Sequence, residues 1–266
     1  MFLIFDTETT GLPKRWNSPI TDHENWPRCV QIAWQLHDEM GNCLEHQDFL
    51  IKPEGFNIPY DAERIHGIST QLASKKGLSL VDVLSKFNDV LAKSKFVVGQ
   101  NVGFDINVLG CEYDRFKIKT LLNDLPVLDT CTEKTASLCK LPGGRGGKFK
   151  LPTLTELHQH LFNESFAEAH NATADVEATS RCFLELVRLG FYSSEELQSS
   201  QEYLEKFKIE NINPIASLGL THINLKNEAN VLSELLKEEA QDINLHQSDK
   251  VLDSFKNSSV VQLHNH

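Results

Sequence analysis

No stretch of the 266-residue chain approaches eighteen consecutive apolar residues, so no membrane-spanning helix is expected. A basic segment ahead of an apolar one is also missing at the N-terminus. Strand-like sequence with acids at positions 6 and 8 starts at once, which argues against a secretory signal. There is no Cys-x-x-Cys pair. The six cysteines (29, 43, 111, 131, 139 and 182) are scattered, and in an untargeted chain they read as reduced thiols, not disulfides or zinc ligands. A cytoplasmic location is therefore expected. Positive charge is scarce, with 26 Lys and Arg against 37 Asp and Glu, a net charge of −11. That balance argues against non-specific nucleic-acid affinity of the chain as a whole. Residues 1–190 carry 20 basic and 25 acidic residues, and residues 191–266 carry 6 and 12, so the short tail is as acidic as the long body. Internal repeats are absent. Hydrophobic content of 40% and charged content of 24% are ordinary for a soluble globular protein.

Phe2–Phe5 is a short apolar run that suits a strand buried on both faces. A turn-rich loop follows from Gly11 to Pro27. Cys29–His37 and Cys43–Ile51 read as strands joined at Gly41–Asn42, which predicts an antiparallel meander. Short helices are predicted over Pro59–Ile65 and Ser69–Lys75. Apolar residues at 80, 83, 84, 87, 90 and 91 give Leu80–Leu91 a helical period. Phe96–Gly99 and Val127–Leu128 read as strands; Asp105–Phe116, Thr132–Leu138, Thr153–Leu161 and Ala172–Leu189 read as helices. Strands first, then alternating strands and helices, imply an α/β domain with a mixed sheet flanked by helices, over residues 1–190. Beyond it, Ser193–Phe207 and Glu228–Ala240 read as helical, and residues 241–258 as a polar linker within an acidic extension, 191–258.

The run "FLIFDTETTGL" (2–12) ends a strand in two acids separated by one Thr. Residues two apart on a strand share a face. Two adjacent carboxylates framed by apolar residues repel, so one takes a proton or a cation binds. Hard oxygen ligands without nearby Cys or His favour Mg²⁺ or Mn²⁺. The alternative is that Asp6 caps a turn with local help from Thr7, Thr9 and Thr10. Two further stretches add chemistry. "VVGQNVGFDINVL" sets Asp105 at the start of a helix. "AEAHNATADVEAT" puts His170 five residues before Asp175, with Asn171 or Thr173 able to cap the helix that follows.

The ordered set DxE (6–8), NxxFD (101–105) and HxxxxD (170–175) resembles the His-bearing branch of the DEDD 3′→5′ exonucleases, and within it the epsilon-type proofreading exonucleases. "RIHGIST" (64–70) and "VLDT" (127–130) also match recurrent segments of that family, and the resemblance covers residues 1–190. It implies a ribonuclease H-like mixed five-stranded sheet flanked by helices. It implies that Asp6, Glu8, Asp105 and Asp175 carry two Mg²⁺ (or Mn²⁺) ions, and that His170 is the general base for the attacking water. It also implies that a single-stranded or frayed DNA 3′ end is the substrate, held by Thr7, Thr9, Thr10, Leu12, His66, Asn101 and Phe104, with Leu12 wedged against the last base.

Two loops stand out. The 140–150 loop mixes four glycines with Lys140, Arg145, Lys148 and Lys150, and Arg145 and Lys148 are candidate contacts to the DNA backbone. It is no Walker A loop, because Phe149 and Pro142 stand where that motif needs Ser or Thr and Gly. The Lys14–Pro27 loop is long for the family. Its Trp16 and Trp26 read as anchors that hold it down, with stacking on single-stranded bases as the alternative.

The chain closes in "VVQLHNH" (260–266), similar to the opening of the metal-binding PHP domains that begin bacterial replicative polymerase alpha subunits. "NWPRCVQIAWQLHDE" and "GGRGGKFKLPTL" are likewise similar to alpha subunits with a proofreading exonuclease fused ahead of PHP. Residues 259–266 then read as the start of a PHP domain with His264 and His266 as its first ligands, and a polymerase module in the same polypeptide as partner. Two other functions fit the motifs: an exoribonuclease trimming RNA ends, and a catalytically silent module that stabilises a polymerase.

Overall fold

The structure, a computed structural model, describes residues 1–164 and 171–210. Five strands form one sheet: β1 (Phe2–Thr9), β2 (Cys29–His37), β3 (Cys43–Leu50), β4 (Phe96–Gly99) and β5 (Val127–Asp129). Their order is β3-β2-β1-β4-β5, with β1 antiparallel to β2, β2 antiparallel to β3, and β1, β4 and β5 mutually parallel. The expected mixed five-stranded sheet and its meander are present. The helices are α1 (Tyr60–His66), α2 (Thr70–Lys76), α3 (Leu80–Leu91), α4 (Gly103–Phe116), α5 (Glu133–Cys139), α6 (Leu154–Phe162), α7 (Ala172–Arg188) and α8 (Gln201–Glu210). None of the described helices is long and apolar enough to cross a membrane.

Strand alternation sorts β1 into two sets of side chains. Leu3 and Phe5 enter one core with α3 and α4, where Phe5 meets Phe87 at 5.1 Å between ring centres. Phe2 and Ile4 enter the other with α7, where Phe2 packs edge-on against Phe183. β1 is therefore buried on both faces, as a continuous apolar run predicts, and the sheet lies between two helical layers. The second core continues past Gly190 through Tyr192, Leu197, Leu204 and Phe207, so residues 191–210 pack on α7. The predicted helix over 193–207 forms only from Gln201. The predicted helix over 228–240, the linker and the tail with His264 and His266 lie outside the described residues.

β1 is longer than its apolar run, continuing through Asp6 and Glu8 to Thr9. Its pairing with β2 slips after Glu8, which faces Gln31, while Thr9 faces Cys29, leaving Val30 as the extra residue of a bulge. Val30 is fully buried in a third cluster with Ile58, Ala62, Ile68 and Ala73, which seats α1 and α2. The extra residue of β2 thus packs against the helix that carries His66.

α4 is held by an internal charge network. The fully buried Glu112 accepts from Arg28 Nε at 2.8 Å and from the Cys29 amide at 3.0 Å, and pairs with Arg115 at 3.2 Å. The backbone of Arg28 in turn grips Thr10: the Thr10 amide donates to the Arg28 carbonyl, and the Arg28 amide to Thr10 Oγ1. Removing one member of a buried network strands the others without compensation. Glu112→Ala is expected to lower unfolding free energy by about 3 kcal/mol. Urea denaturation checks this, and a loss under about 1 kcal/mol, the scale of an exposed pair, would contradict it.

Candidate active site

Asp6 and Glu8 stand on the α7 face of β1, and Asp175 stands in the first turn of α7. One carboxylate oxygen from each of the three lies within 4.8 Å of the others. α7 is positioned by its cap and by the sheet. The Asn171 side chain accepts from the Thr173 amide at 3.0 Å, which selects the first of the two predicted caps. Thr173 Oγ1 donates to Asp48 of β3 at 2.7 Å, and Gln35 of β2 donates to Glu177 at 2.5 Å. The sheet thus grips α7 two residues before Asp175 and two residues after it. Asp48 also accepts from Gln31, the residue paired with Glu8, so the same polar chain reaches back to β1.

Asp105 arrives from the opposite layer. It is buried, and its Oδ1 accepts from the Thr7 amide at 3.0 Å and from Thr7 Oγ1 at 2.6 Å. It lies beside the three-acid group but is not one of its members. Here the structure differs from the sequence reading. Thr7 and Thr10 are expected to offer their amides to a nucleotide, but those amides are taken by Asp105 and by the Arg28 carbonyl. Thr7 faces α4 because strand alternation turns it away from Asp6 and Glu8. Thr9 Oγ1 closes a local turn onto the Gly11 carbonyl at 2.7 Å.

The turn before Asp105 is built by a residue whose role the sequence does not disclose. Asp129, at the end of β5, accepts from the amides of Asn101, Val102 and Cys131 at 2.8, 3.1 and 2.7 Å. Those bonds hold Asn101 at φ 56°, a conformation asparagine tolerates better than most residues, and let β4 turn directly into α4. Gly99 is needed just before it, since a Cβ there would lie 2.6 Å from Val102 Cγ2. Only the position of Asp129 within "VLDT" marked it in the sequence.

Burial and mutual repulsion govern the acids. Asp6 is pushed well above the usual carboxylate range, chiefly by burial and then by the charges of Asp105, Asp175 and Glu8. Glu8 is raised to about 8 by burial, Asp175 and Asp105. Asp105 is raised to about 7 by burial, against the opposing pull of the Thr7 hydrogen bonds. Such a cluster holds protons near neutrality unless a cation replaces them. Its donors are all hard carboxylate oxygens, which fit a divalent cation.

The remaining candidates differ in exposure and in the partners they hold. Leu12 is 73% exposed, so it is no core leucine and is free to meet a ligand. His66 accepts from the Ile68 amide through Nδ1, and burial lowers its pKa, so it is neutral with the proton on Nε2. That buried Nε2 lies beside the Thr9 backbone without a full hydrogen bond. Phe104 is half-buried against the first core. Arg145 opens a short 3-10 turn (Arg145–Gly147), while Lys148 is paired with Glu133 at the surface, so Lys148 is less available to a phosphate than expected. His170 lies outside the described residues.

The two tryptophans of the long loop part company. Trp26 is buried and donates from Nε1 to the Pro19 carbonyl at 3.1 Å, an anchor as expected. Trp16 is 55% exposed and touches Phe104, so it does not anchor the loop.

Comparison with known proteins agrees with this geometry. Residues 3–183 match the RNase_T family profile, described as exonuclease. The DNA polymerase III subunit epsilon of Rickettsia felis is 30% identical over 190 residues, covering 69% of this chain and 72% of that one. The PolC-type DNA polymerase III of Mycoplasma genitalium is 28% identical over 183 residues, which are 68% of this chain and 11% of that polymerase. Among solved structures, exonuclease I of E. coli with a dA16 oligonucleotide superposes with a TM-score of 0.53 at 23% identity, a likeness of fold, over 82% of this chain. The chain spans under half of that exonuclease, 44% of its length. The chain belongs to the RNase_T exonuclease family and is a 3′→5′ exonuclease with the DEDDh-type, ribonuclease H-like fold.

Proposed function

We propose that this domain removes nucleoside monophosphates from the 3′ ends of single-stranded or frayed DNA during replication, as the proofreading part of a replicative polymerase. The observation that carries the reading is the approach of Asp6, Glu8 and Asp175 to within 4.8 Å at the end of a strand buried on both faces. Those three side chains would hold a first divalent cation, and Asp105, set beside them by Thr7, would serve a second. Four carboxylates against two Mg²⁺ or Mn²⁺ ions leave the site neutral, which offsets the repulsion that otherwise retains protons. Bound there, the ions would supply Lewis-acid stabilisation of the attacking and leaving oxygens of an in-line displacement.

The chain's own groups do the rest. His170, whose ordinary pKa near 6.5 suits a base at neutral pH, takes the proton from the attacking water. The water oxygen attacks the phosphorus of the last phosphodiester, and its bond to the penultimate 3′-oxygen breaks, that oxygen taking a proton from solvent to become the new 3′ hydroxyl. Leu12 lies against the last base, while His66, its Nε2 buried beside the Thr9 backbone, holds its loop together. Asn101 and Phe104 hold the backbone that carries Asp105. Arg145 adds phosphate attraction from the 140–150 loop.

Two observations support fusion to a polymerase. The Mycoplasma relative is a PolC-type polymerase of which the matched region is a small part. The closing "VVQLHNH" is similar to the start of PHP domains. A tether also suits a net-negative nuclease, because it raises the effective DNA concentration to roughly millimolar. The direct test is digestion of 5′-labelled DNA and RNA oligonucleotides of matched sequence with Mn²⁺. A DNA ladder that shortens one nucleotide at a time is expected, and faster loss of RNA would overturn the choice of substrate.

His170→Ala is expected to leave Mn²⁺ affinity within about twofold and to lower kcat by at least ~10²-fold, the usual scale for a lost general base. Turnover equal to wild type at pH 7.5 would remove His170 from the reaction.

Glu8 and Asp105 shift upward from 4.5 and 3.8 to about 8 and about 7. The folded state therefore keeps protons that the unfolded chain has released. Their contribution to stability is lost as pH rises from about 4.5 through about 8. The metal-free protein is expected to lose melting temperature between pH 5 and 8, and saturating Mn²⁺ to remove that slope. Mn²⁺ affinity should rise from pH 6 to 8, with protons released on binding, as calorimetry in two buffers reads. A flat affinity profile over that range would refute the protonated cluster.

A further inference from the structure

We infer that Trp16, together with Phe104, forms a stacking platform for a base of the unpaired strand upstream of the terminal nucleotide. The inference rests on the nuclease reading above and adds a residue to it.

The loop from Lys14 to Pro27 is firmly fastened. Asn25, buried, takes hold of both sides of Arg15: its Oδ1 accepts from the Arg15 amide at 2.7 Å, and its Nδ2 donates to the Arg15 carbonyl at 2.9 Å. The Lys14 amide donates to the Asn25 carbonyl at 3.2 Å. Pro13 and Trp26 are buried, Ile20 rests on Gly110 of α4, and His23 bonds Asp114 of the same helix at 2.7 Å. Arg115 of α4 donates to the carbonyls of His23 and Trp26. The backbone on the N-terminal side of Trp16 is thus pinned, yet the indole projects into solvent at 55% exposure. A pinned loop that leaves its largest apolar side chain outside has a surface prepared for something else to cover.

Position and charge identify the occupant. The Trp16 ring centre lies 5.9 Å from that of Phe104, and Phe104 immediately precedes Asp105, whose carboxylate is bonded to Thr7 between Asp6 and Glu8. The exposed indole therefore stands against the residue next to Asp105 in the chain. Lys14 and Arg15 precede it, both exposed, and the Arg15 side chain remains 75% exposed while pairing with Asp22. Two cations next to a solvent-facing indole suit a phosphodiester with a base attached. Stacking of that kind is indifferent to base identity, as a nuclease that trims any sequence requires.

The chain has three tryptophans, and Trp26 and Trp34 are 3% and 1% exposed, so solvent-accessible indole emission comes from Trp16. The test titrates the full chain with unlabelled oligo-dT, with Ca²⁺ replacing Mn²⁺ to hold back hydrolysis. Oligonucleotide should quench the emission and shield it from acrylamide. Trp16→Phe should abolish the quench while keeping most of the affinity. Trp16→Ala should weaken binding about tenfold, the lower part of the range for one lost stack, with an unchanged melting temperature. If wild type binds and digests DNA while its emission stays constant and Trp16→Ala binds equally well, the inference is overturned, the nuclease reading stands, and the exposed face is left to a protein partner. If wild type neither binds nor digests DNA, both fail. A Trp16→Ala chain that loses affinity only in step with melting temperature reports a structural anchor and also overturns the inference.

Discussion

Carboxylate crowding at the end of β1 is the constraint on which the rest of the structure depends. Asp6, Glu8 and Asp175 lie within 4.8 Å of one another, with Asp105 beside them in a dry position. Left alone, these groups push apart, so each must be held by something that does not yield. The sheet grips α7 on both sides of Asp175, through Asp48 and Gln35. Asp129 fixes the turn ahead of Asp105, and Glu112 fixes the same helix two turns further on. Burial of Leu3, Phe5, Phe2 and Ile4 in two cores keeps the strand itself from moving. Apolar packing thus stabilises the arrangement against the repulsion that gives the site its appetite for cations.

Much of this frame was legible in the residues. Leu80–Leu91 has the same bounds in sequence and structure because its apolar period is unbroken. Phe96–Gly99 and Cys29–His37 match for a similar reason, as runs that only a buried strand explains. The extension of β1 through Asp6 and Glu8 was less legible, since apolar patterning stops at Phe5 and the ladder with β2 does not. The pair at 6 and 8 was visible by spacing and the acids at 105 and 175 through the family resemblance of their motifs, but the grip of Thr7 on Asp105 depends on two layers meeting across a strand. Trp16 and Trp26 look alike in sequence. What separates them is which side of the loop faces α4, a tertiary fact that no local pattern encodes.

The negative balance of the chain and the nature of its substrate fit together once the site is considered locally. Acids concentrated at one point suit divalent cations, which would neutralise the local charge. Exposed cations at Lys14 and Arg145 add local attraction, while Arg15 is paired with Asp22 and Lys148 with Glu133, and these contribute less. The exonuclease family relation fits a domain that meets nucleic acid at a strand end.

The acids flank a single strand on both faces, with Asp175 joining Asp6 and Glu8 from the layer on one side and Asp105 standing beside them from the layer on the other. A partly assembled chain with only one layer in place has half a site. Asp6 and Asp175 stand some 170 residues apart in the chain, so their approach depends on the sheet and α7 both being folded.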